Sequence, residues 1–264
     1  MSRPRGPTAT ALAAVGGLAL ALLVVIPVLA LITRAPWSSA ADILGEPANR
    51  TALRLSVQVS LWALVLSVAL GFPIAWVLAR VPFPGRRVVR ALITLPMVVP
   101  PVVGGVALLV AFGRRGLVGQ WLNRWFDIQL AYTTTAAVLA ATFVSLPFFV
   151  VTVEAALRGV DRRYEDAART LGASPGTVLR RVTLPSIRGA LAAGSALAWA
   201  RALGEFGATI TFAGSFAGRT QTMPLAINKA LDTDVRDAIL LSLVLLGVSV
   251  TVLASLRDRW LGAA

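Results

Sequence analysis

Six long stretches of this sequence carry almost no charge, and they limit the possible folds more than any other feature. Five of them contain no charged residue, and the sixth contains only Arg201 and Glu205. A helix needs about 20 apolar residues to cross a bilayer, and backbone groups in lipid must form their hydrogen bonds within the spanning structure. Transmembrane strands would give alternating segments of about ten residues instead. We therefore predict an all-α, polytopic membrane protein with six transmembrane helices. The predicted spans cover residues 10–33, 55–79, 90–113, 132–153, 189–213 and 238–256.

The composition and the distribution of charge agree with this prediction. Hydrophobic residues make up 57% of the chain, charged residues only 14%, and the mean hydropathy is +0.78. A net charge of +13 would suggest nucleic acid in a soluble protein. Here the arginines are instead more numerous in the loops that face the cytoplasm if the N-terminus is inside. We predict an N-in, C-in topology, a single membrane domain over residues 1–264, and no nucleic-acid partner.

Cysteine and histidine are both absent from the chain. Their absence removes thiol nucleophiles, histidine general bases and the usual ligands of zinc and haem. The sequence also lacks a G-x-x-x-x-G-K-[ST] phosphate loop, and its single lysine, Lys229, lies in a predicted outer loop. We therefore expect no catalytic residue, no metal and no cofactor, and any ATP hydrolysis would take place on a separate subunit.

The third predicted span contains the proline-rich stretch LPMVVPPVVGG. Proline lacks a backbone donor and clashes with the preceding turn, and it disfavours helix in the residue before it. We expect Pro96, Pro100 and Pro101 to kink or break this span near its middle. Membrane proteins accommodate such breaks against neighbouring helices or around a water-filled cavity. A pore-lining role and a packing role are both consistent with the motif.

The fifth predicted span carries the two charged residues and many small ones. Arg201 and Glu205 stand four residues apart, so on a helix they share a face and can form an ion pair. An unpaired charge at the bilayer centre costs about 2.5–3.5 kcal/mol. The density of glycine and alanine predicts an interface helix. The pair either fastens this helix to a neighbour or lies beside a translocation path, with Arg201 meeting an anion and Glu205 holding it in position.

The longest charged stretch is the loop of residues 154–188, which faces the cytoplasm in the predicted topology. Asp161 is placed to cap a short helix that Gly172 ends. Ser174 is placed to cap a second one, with Pro175 at its first position and Pro185 at its end. A loop that only connects two spans needs neither paired caps nor an apolar face. We therefore interpret loop 154–188 as a docking element for another protein.

The spacing within this loop resembles the cytoplasmic signature of bacterial ABC-importer permeases, E-A-A-x(3)-G-x(9)-I-x-L-P. Aspartate replaces glutamate at its first position, valine replaces isoleucine, and Glu165 is adjacent. The matching residues are Asp166, Ala167, Ala168, Gly172, Val182, Leu184 and Pro185. The resemblance implies a type I ABC-importer permease fold in which these residues form the coupling helix that binds a cytoplasmic ATP-binding subunit. It also implies a permease homodimer and an extracytoplasmic binding protein that delivers the substrate.

Two further stretches resemble the oxyanion permeases of this family. ARALGEFGATITFAGSFAGRTQTMPLAI and LPMVVPPVVGG are similar to the corresponding stretches of molybdate, tungstate and sulfate permeases, and GRTQTMPLAI looks more like the molybdate branch. The resemblance implies ATP-driven import of molybdate, with tungstate or sulfate as alternatives. An ion-coupled secondary transporter is less well supported. It would need intramembrane carboxylates or histidines, and Glu205 is the only candidate.

Overall fold

The computed structural model describes the backbone of residues 7–261 and the side chains of residues 16–252 and Ala254. Within these residues every regular element is helical, as the sequence predicts. In chain order the α-helices are α1 (Pro7–Arg34), α2 (Ala40–Gly45), α3 (Pro47–Arg80), α4 (Arg86–Val98), α5 (Pro101–Phe112), α6 (Gly119–Phe126), α7 (Thr134–Gly159), α8 (Arg162–Thr170), α9 (Pro175–Val178), α10 (Leu184–Ser186), α11 (Arg188–Leu203), α12 (Gly207–Phe212), α13 (Met223–Thr233) and α14 (Val235–Leu261). A 3-10 turn covers Trp37–Ser39, and a π-helical turn covers Leu179–Thr183 between α9 and α10.

Among the described residues, four single helices have the length and hydropathy needed to cross a membrane. They are α1 over Gly16–Arg34, α3, α7, and α14 over Val235–Val252. Each overlaps one of the predicted first, second, fourth and sixth spans. Two of them extend beyond the apolar stretch: α3 begins at Pro47, where proline favours a helix start, and α7 continues to Gly159. The first six residues of loop 154–188 therefore belong to α7.

The third predicted span is two helices, α4 and α5, whose axes differ by 118°. Val99 and Pro100 separate them and have extended backbone conformations, as expected for residues at and before a proline. The predicted break is confirmed at Pro100 and Pro101. Pro96 lies inside α4, so the helix does not break at this proline. Its missing N–H removes one hydrogen bond of α4 without ending the helix.

The fifth predicted span, residues 189–213, is not one continuous helix either. α11 ends at Leu203, and α12 begins only at Gly207. The glycine at position 204 caps α11 with its own N–H, and the side chain of Glu205 then bonds to the backbone of α12. A side chain that satisfies a free helix donor stabilises a new helix start at this point. Our prediction of an unbroken fifth span is therefore corrected to a helix, a short break and a second helix.

The core is formed where α7 packs between α3 and α11. Small residues line these contacts, so the backbones approach closely. Ser67 of α3 and Ser145 of α7 form a buried hydrogen bond at 3.0 Å. A Cβ placed on Gly194 of α11 would stand 3.3 Å from the ring of Phe149. α11 thus packs against other helices, as its density of small residues predicts.

The short helices lie near the two ends of the bundle. α8, α9 and α10 follow the C-terminal end of α7, whereas α6 precedes its N-terminal end. α13 connects α12 to α14, and its first N–H, from Met223, bonds to the Ser56 hydroxyl of α3 at 2.6 Å. α1 packs mainly on α14 and leaves apolar side chains such as Leu23 exposed. The functional residues predicted from sequence are thereby divided between loop 154–188 and the two broken spans, α4–α5 and α11–α12.

Candidate functional site

Loop 154–188 is built around two capped helix ends. Asp161 accepts a hydrogen bond from the N–H of Arg163 at 3.0 Å and caps α8. At the other end of α8, Gly172 has φ +83°. The N–H of Gly172 bonds to the Arg169 carbonyl, and the N–H of Ala173 bonds to the Ala168 carbonyl. This pair of bonds is a Schellman motif, in which glycine is favoured at the left-handed position. The predicted cap and stop of α8 are confirmed.

The second half of the loop begins as predicted but ends differently. Ser174 caps α9 by accepting from the N–H of Thr177, and Pro175 occupies the first helical position. The chain then continues through the π-helical turn into α10, so Pro185 does not end the helical path as we expected. Pro185 lies in the first turn of α10, a position at which proline is tolerated. The helical path is interrupted at Ile187, whose backbone conformation is not helical, and α11 begins at the next residue.

The residues of the signature fall into two groups by burial. Asp166, Ala167, Gly172 and Pro185 are exposed, whereas Ala168, Val182 and Leu184 are half-buried. Two apolar side chains on and beside α8 are also open to solvent, since Tyr164 is 69% and Leu171 is 89% exposed. The loop therefore presents exposed apolar side chains beside its exposed signature residues.

Glu165 is the one carboxylate of α8 that is buried, with 4% of its surface exposed. Its Oε1 atom lies 2.8 Å from Nη2 of Arg80, the last residue of α3. The same oxygen accepts a hydrogen bond from the Thr183 hydroxyl at 2.9 Å. A single carboxylate therefore joins α3, α8 and the π-helical turn. The sequence placed Glu165, beside the signature, among the residues of the loop that couples to the ATP-binding subunit, and it gave no indication of Arg80 or Thr183.

A second buried carboxylate, Glu154, lies near the end of α7. Arg90 of α4 donates to both of its oxygens, with Nη2 to Oε1 at 2.5 Å. Arg158, one turn further along α7, approaches Oε1 to 2.7 Å. Sequence reasoning missed this cluster. The available signal was local, since Glu154 ends an apolar stretch and precedes Arg158 by four residues.

Arg201 and Glu205 form the predicted ion pair, with Nη1 2.7 Å from Oε2. Glu205 lies beyond the end of α11 rather than on its face. Its Oε1 atom accepts a hydrogen bond from the N–H of Ala208 at 2.7 Å, so the carboxylate caps α12 while it holds the guanidinium. The Glu205 side chain is 1% exposed, whereas that of Arg201 is 28% exposed. The ion pair joins two parts of the same broken span.

The two broken spans meet at this point. A Cβ on Gly207, the first residue of α12, would stand 2.8 Å from Cβ of Pro101, the first residue of α5. A Cβ on Gly105 would stand 2.9 Å from the carbonyl oxygen of Ala208. The structure therefore brings Pro101 next to the segment that contains Glu205. Pro96, inside α4, and Pro100, in the break before α5, are half-buried and exposed, respectively.

Acidic side chains are few and scattered over the part of the chain whose side chains are described. No group of three or more of them there is close enough to hold a metal ion. The charged side chains around the two breaks are instead arranged as ion pairs and caps. Glu205 thereby holds the guanidinium of Arg201 in position.

The overall fold matches membrane subunits of known ABC importers. A bacterial alginate ABC transporter, solved in complex with an alginate pentasaccharide-bound periplasmic protein, aligns over 95% of both chains with a TM-score of 0.73 and 14% identity. The MetNI methionine ABC transporter in an inward-facing conformation aligns over 81% of this chain and 94% of its own, with a TM-score of 0.64 and 16% identity. The chain thus shares the fold of these ABC-importer membrane subunits.

Sequence similarity defines the family within this class. Residues 67–263 match the family described as the binding-protein-dependent transport system inner membrane component. The molybdenum transport system permease protein of Mycobacterium tuberculosis is 48% identical over 90% of both chains, and that of Escherichia coli is 41% identical over 80% of this chain and 92% of its own. The sulfate transport system permease protein CysW of Synechocystis is 36% identical over 83% and 80%. The chain belongs to this family of inner membrane permeases.

Proposed function

We propose that this protein is the transmembrane permease subunit of an ATP-driven importer that carries molybdate across the inner membrane. The observation that carries the proposal is the 48% identity to a molybdenum permease over 90% of both chains. Identity to sulfate permeases is lower, at 35–36%. Tungstate shares the charge and tetrahedral shape of molybdate and is the natural competitor, and sulfate is the second candidate.

In the proposed topology, each broken span crosses the bilayer as one unit. α1, α3, the α4–α5 pair, α7, the α11–α12 pair and α14 are then the six spans. With the N-terminus inside, loop 154–188 faces the cytoplasm and α6 and α13 face outward. The chain is the pore subunit and not itself an enzyme.

The partners follow from the surface of loop 154–188 and from the absence of a phosphate loop. We assign Tyr164, Leu171 and the signature residues of α8 to a groove on a cytoplasmic ATP-binding subunit. That subunit hydrolyses the ATP. An extracytoplasmic binding protein delivers the oxyanion to the outward face, and a second copy of the permease completes the pore.

The proposed translocation site is the meeting point of the two breaks. Arg201 uses one edge of its guanidinium for Glu205, and its remaining donors can bind the oxygen atoms of a passing anion. Glu205 is a positioning residue, because it fixes Arg201 and caps α12 simultaneously. Pro100 and Pro101 keep the neighbouring span broken, so backbone groups near the path are free to contact water or anion.

Uptake in reconstituted vesicles tests the proposal. The permease is assembled with its ATP-binding subunit and binding protein. Labelled molybdate, tungstate or sulfate is added on the side of the binding protein. ATP is supplied or omitted on the side of the ATP-binding subunit. We expect ATP-dependent uptake with molybdate preferred over sulfate. A preference for sulfate would support the second candidate. Uptake that proceeds without nucleotide and follows a pH gradient would instead indicate an ion-coupled transporter and refute the proposal.

A further inference from the structure

A short amphipathic helix, α6, lies at the end of the bundle opposite loop 154–188. Its sequence, GQWLNRWF, places Trp121, Trp125 and Phe126 on one side and Gln120 and Arg124 on the other. Trp125 and Phe126 are 67% and 65% exposed, and Trp121 is 44% exposed. The two indole rings lie 5.2 Å apart. This contiguous aromatic face is far more exposed than the aromatic residues of a folded core.

The position of α6 is fixed by the turn that precedes it. The N–H of Leu117 bonds to the Val110 carbonyl at 3.1 Å, and that of Val118 bonds to the Ala111 carbonyl at 2.8 Å. A Cβ on Gly119 would collide with backbone carbonyl groups at the end of α5. The chain therefore folds back onto the last turn of α5 before α6 begins. In the proposed topology the α4–α5 pair crosses the bilayer, so α6 is held at the level where that pair leaves it.

The surroundings of α6 have the two chemical features of a membrane boundary. On the bundle side, α5 exposes apolar residues, with Val102 52% and Val110 59% exposed. Arg114 and Arg115, in the turn itself, and Arg124, on α6, are all exposed. Tryptophan is enriched at the interface between lipid and water, and arginine near that interface is attracted to lipid phosphates. An aromatic face bordered by arginines is complementary to this layer.

We propose that α6 is an interfacial anchor that binds phospholipid. Its face of Trp121, Trp125 and Phe126 enters the boundary between headgroups and acyl chains in the leaflet opposite loop 154–188. Arg114, Arg115 and Arg124 contact the phosphates. The anchor fixes the far end of the α4–α5 pair, so motion of this broken span is restricted to its other end and to the break itself.

The absence of cysteine from the chain permits a direct test with single spin labels. Trp125→Cys and the matched control Gln120→Cys, on the opposite side of α6, are labelled in the full chain in vesicles of phosphatidylethanolamine and phosphatidylglycerol. We expect the label at position 125 to be several-fold more accessible to oxygen, which partitions into lipid, than to a water-soluble nickel chelate. The label at position 120 should show the reverse.

Two results would overturn the proposal. One is a label at position 125 that is mainly accessible to the nickel chelate. The other is protection at position 125 that develops only when the binding protein is added, since this would identify a protein-docking face. A second measurement avoids cysteine altogether: Trp125→Phe should remove a component of tryptophan emission that lipids brominated near the headgroup quench. Unquenched emission from Trp125 would equally contradict an interfacial position.

Discussion

Replacing Glu165 by alanine is expected to loosen loop 154–188 without unfolding the helix bundle. The carboxylate is 4% exposed, pairs with Arg80 at 2.8 Å and accepts from Thr183 at 2.9 Å. Removing one partner of a buried ion pair costs about 3–5 kcal/mol, because the other charge is left buried without compensation. The side chain of Arg80 is only 9% exposed. The small free energies that exposed surface ion pairs contribute to stability therefore do not apply here.

Limited proteolysis measures this local opening. Trypsin cleaves after arginine, and Arg162, Arg163 and Arg169 are exposed on α8. When opening and closing are fast, the cleavage rate follows the population of the open form. A loss of about 3 kcal/mol changes an equilibrium constant by about a hundredfold. Cleavage within α8 of Glu165→Ala is therefore expected to be about a hundredfold faster than in the parent.

Asp166→Ala is the matched control, because it removes the adjacent carboxylate of the same helix. The Asp166 side chain is 65% exposed and lies 3.5 Å from Arg169, so its removal should leave the cleavage rate unchanged. Glu165→Gln should give an intermediate rate, since the amide oxygen can still accept from Thr183. Cleavage of Glu165→Ala at the parental rate would refute the assignment of Glu165 as the residue that holds the loop. So would a cleavage rate of Asp166→Ala that rises as much as that of Glu165→Ala.

Four other substitutions, one of them with a matched control, test the loop and the two breaks. Gly172→Leu should strain the left-handed turn by about 1–2 kcal/mol and lower transport per ATP hydrolysed. Gly176→Leu, at an open position without positive φ, should transport normally, and equal defects in both would contradict the turn argument. Gly105→Ala should lower the melting temperature of the solubilised protein, because its Cβ would press on α12; unchanged melting would exclude a tight contact. Arg201→Ala should abolish uptake and Glu205→Gln should reduce it, because glutamine keeps the bond to α12 but not the charge. Parental uptake by both would exclude the pair from the translocation site.

The parts of the site that the sequence predicted correctly depend on short-range chemistry. Asp161, Gly172 and Ser174 act on backbone groups within a few residues, so their roles can be read from spacing alone. The break at Pro100 is equally local. These features need no knowledge of neighbouring helices, because proline and glycine restrict the backbone wherever they occur.

The ion pairs that hold the loop could not be predicted in the same way. Glu165 and Arg80 are 85 residues apart, and Glu154 and Arg90 are 64 residues apart. Every predicted cytoplasmic segment contains several arginines, so a buried carboxylate has many possible partners until the helices are packed. The break of the fifth span is a different case. Its signal was local, a glycine followed by Glu205 and Gly207, but an apolar stretch of the right length concealed it.

The buried carboxylates and the glycine contacts together connect the loop to the breaks. Glu165 ties α8 to the end of α3, and Glu154 ties the end of α7 to α4. α4 leads across the proline break into α5, which contacts α12 at Gly105 and Gly207. These contacts form a continuous series of packed elements from the loop to the segment that contains the Arg201–Glu205 pair. If this route couples the two sites, combining Glu165→Gln with Gly105→Ala should give a transport defect that differs from the sum of the single effects. Simple additivity would show that the two contacts act independently.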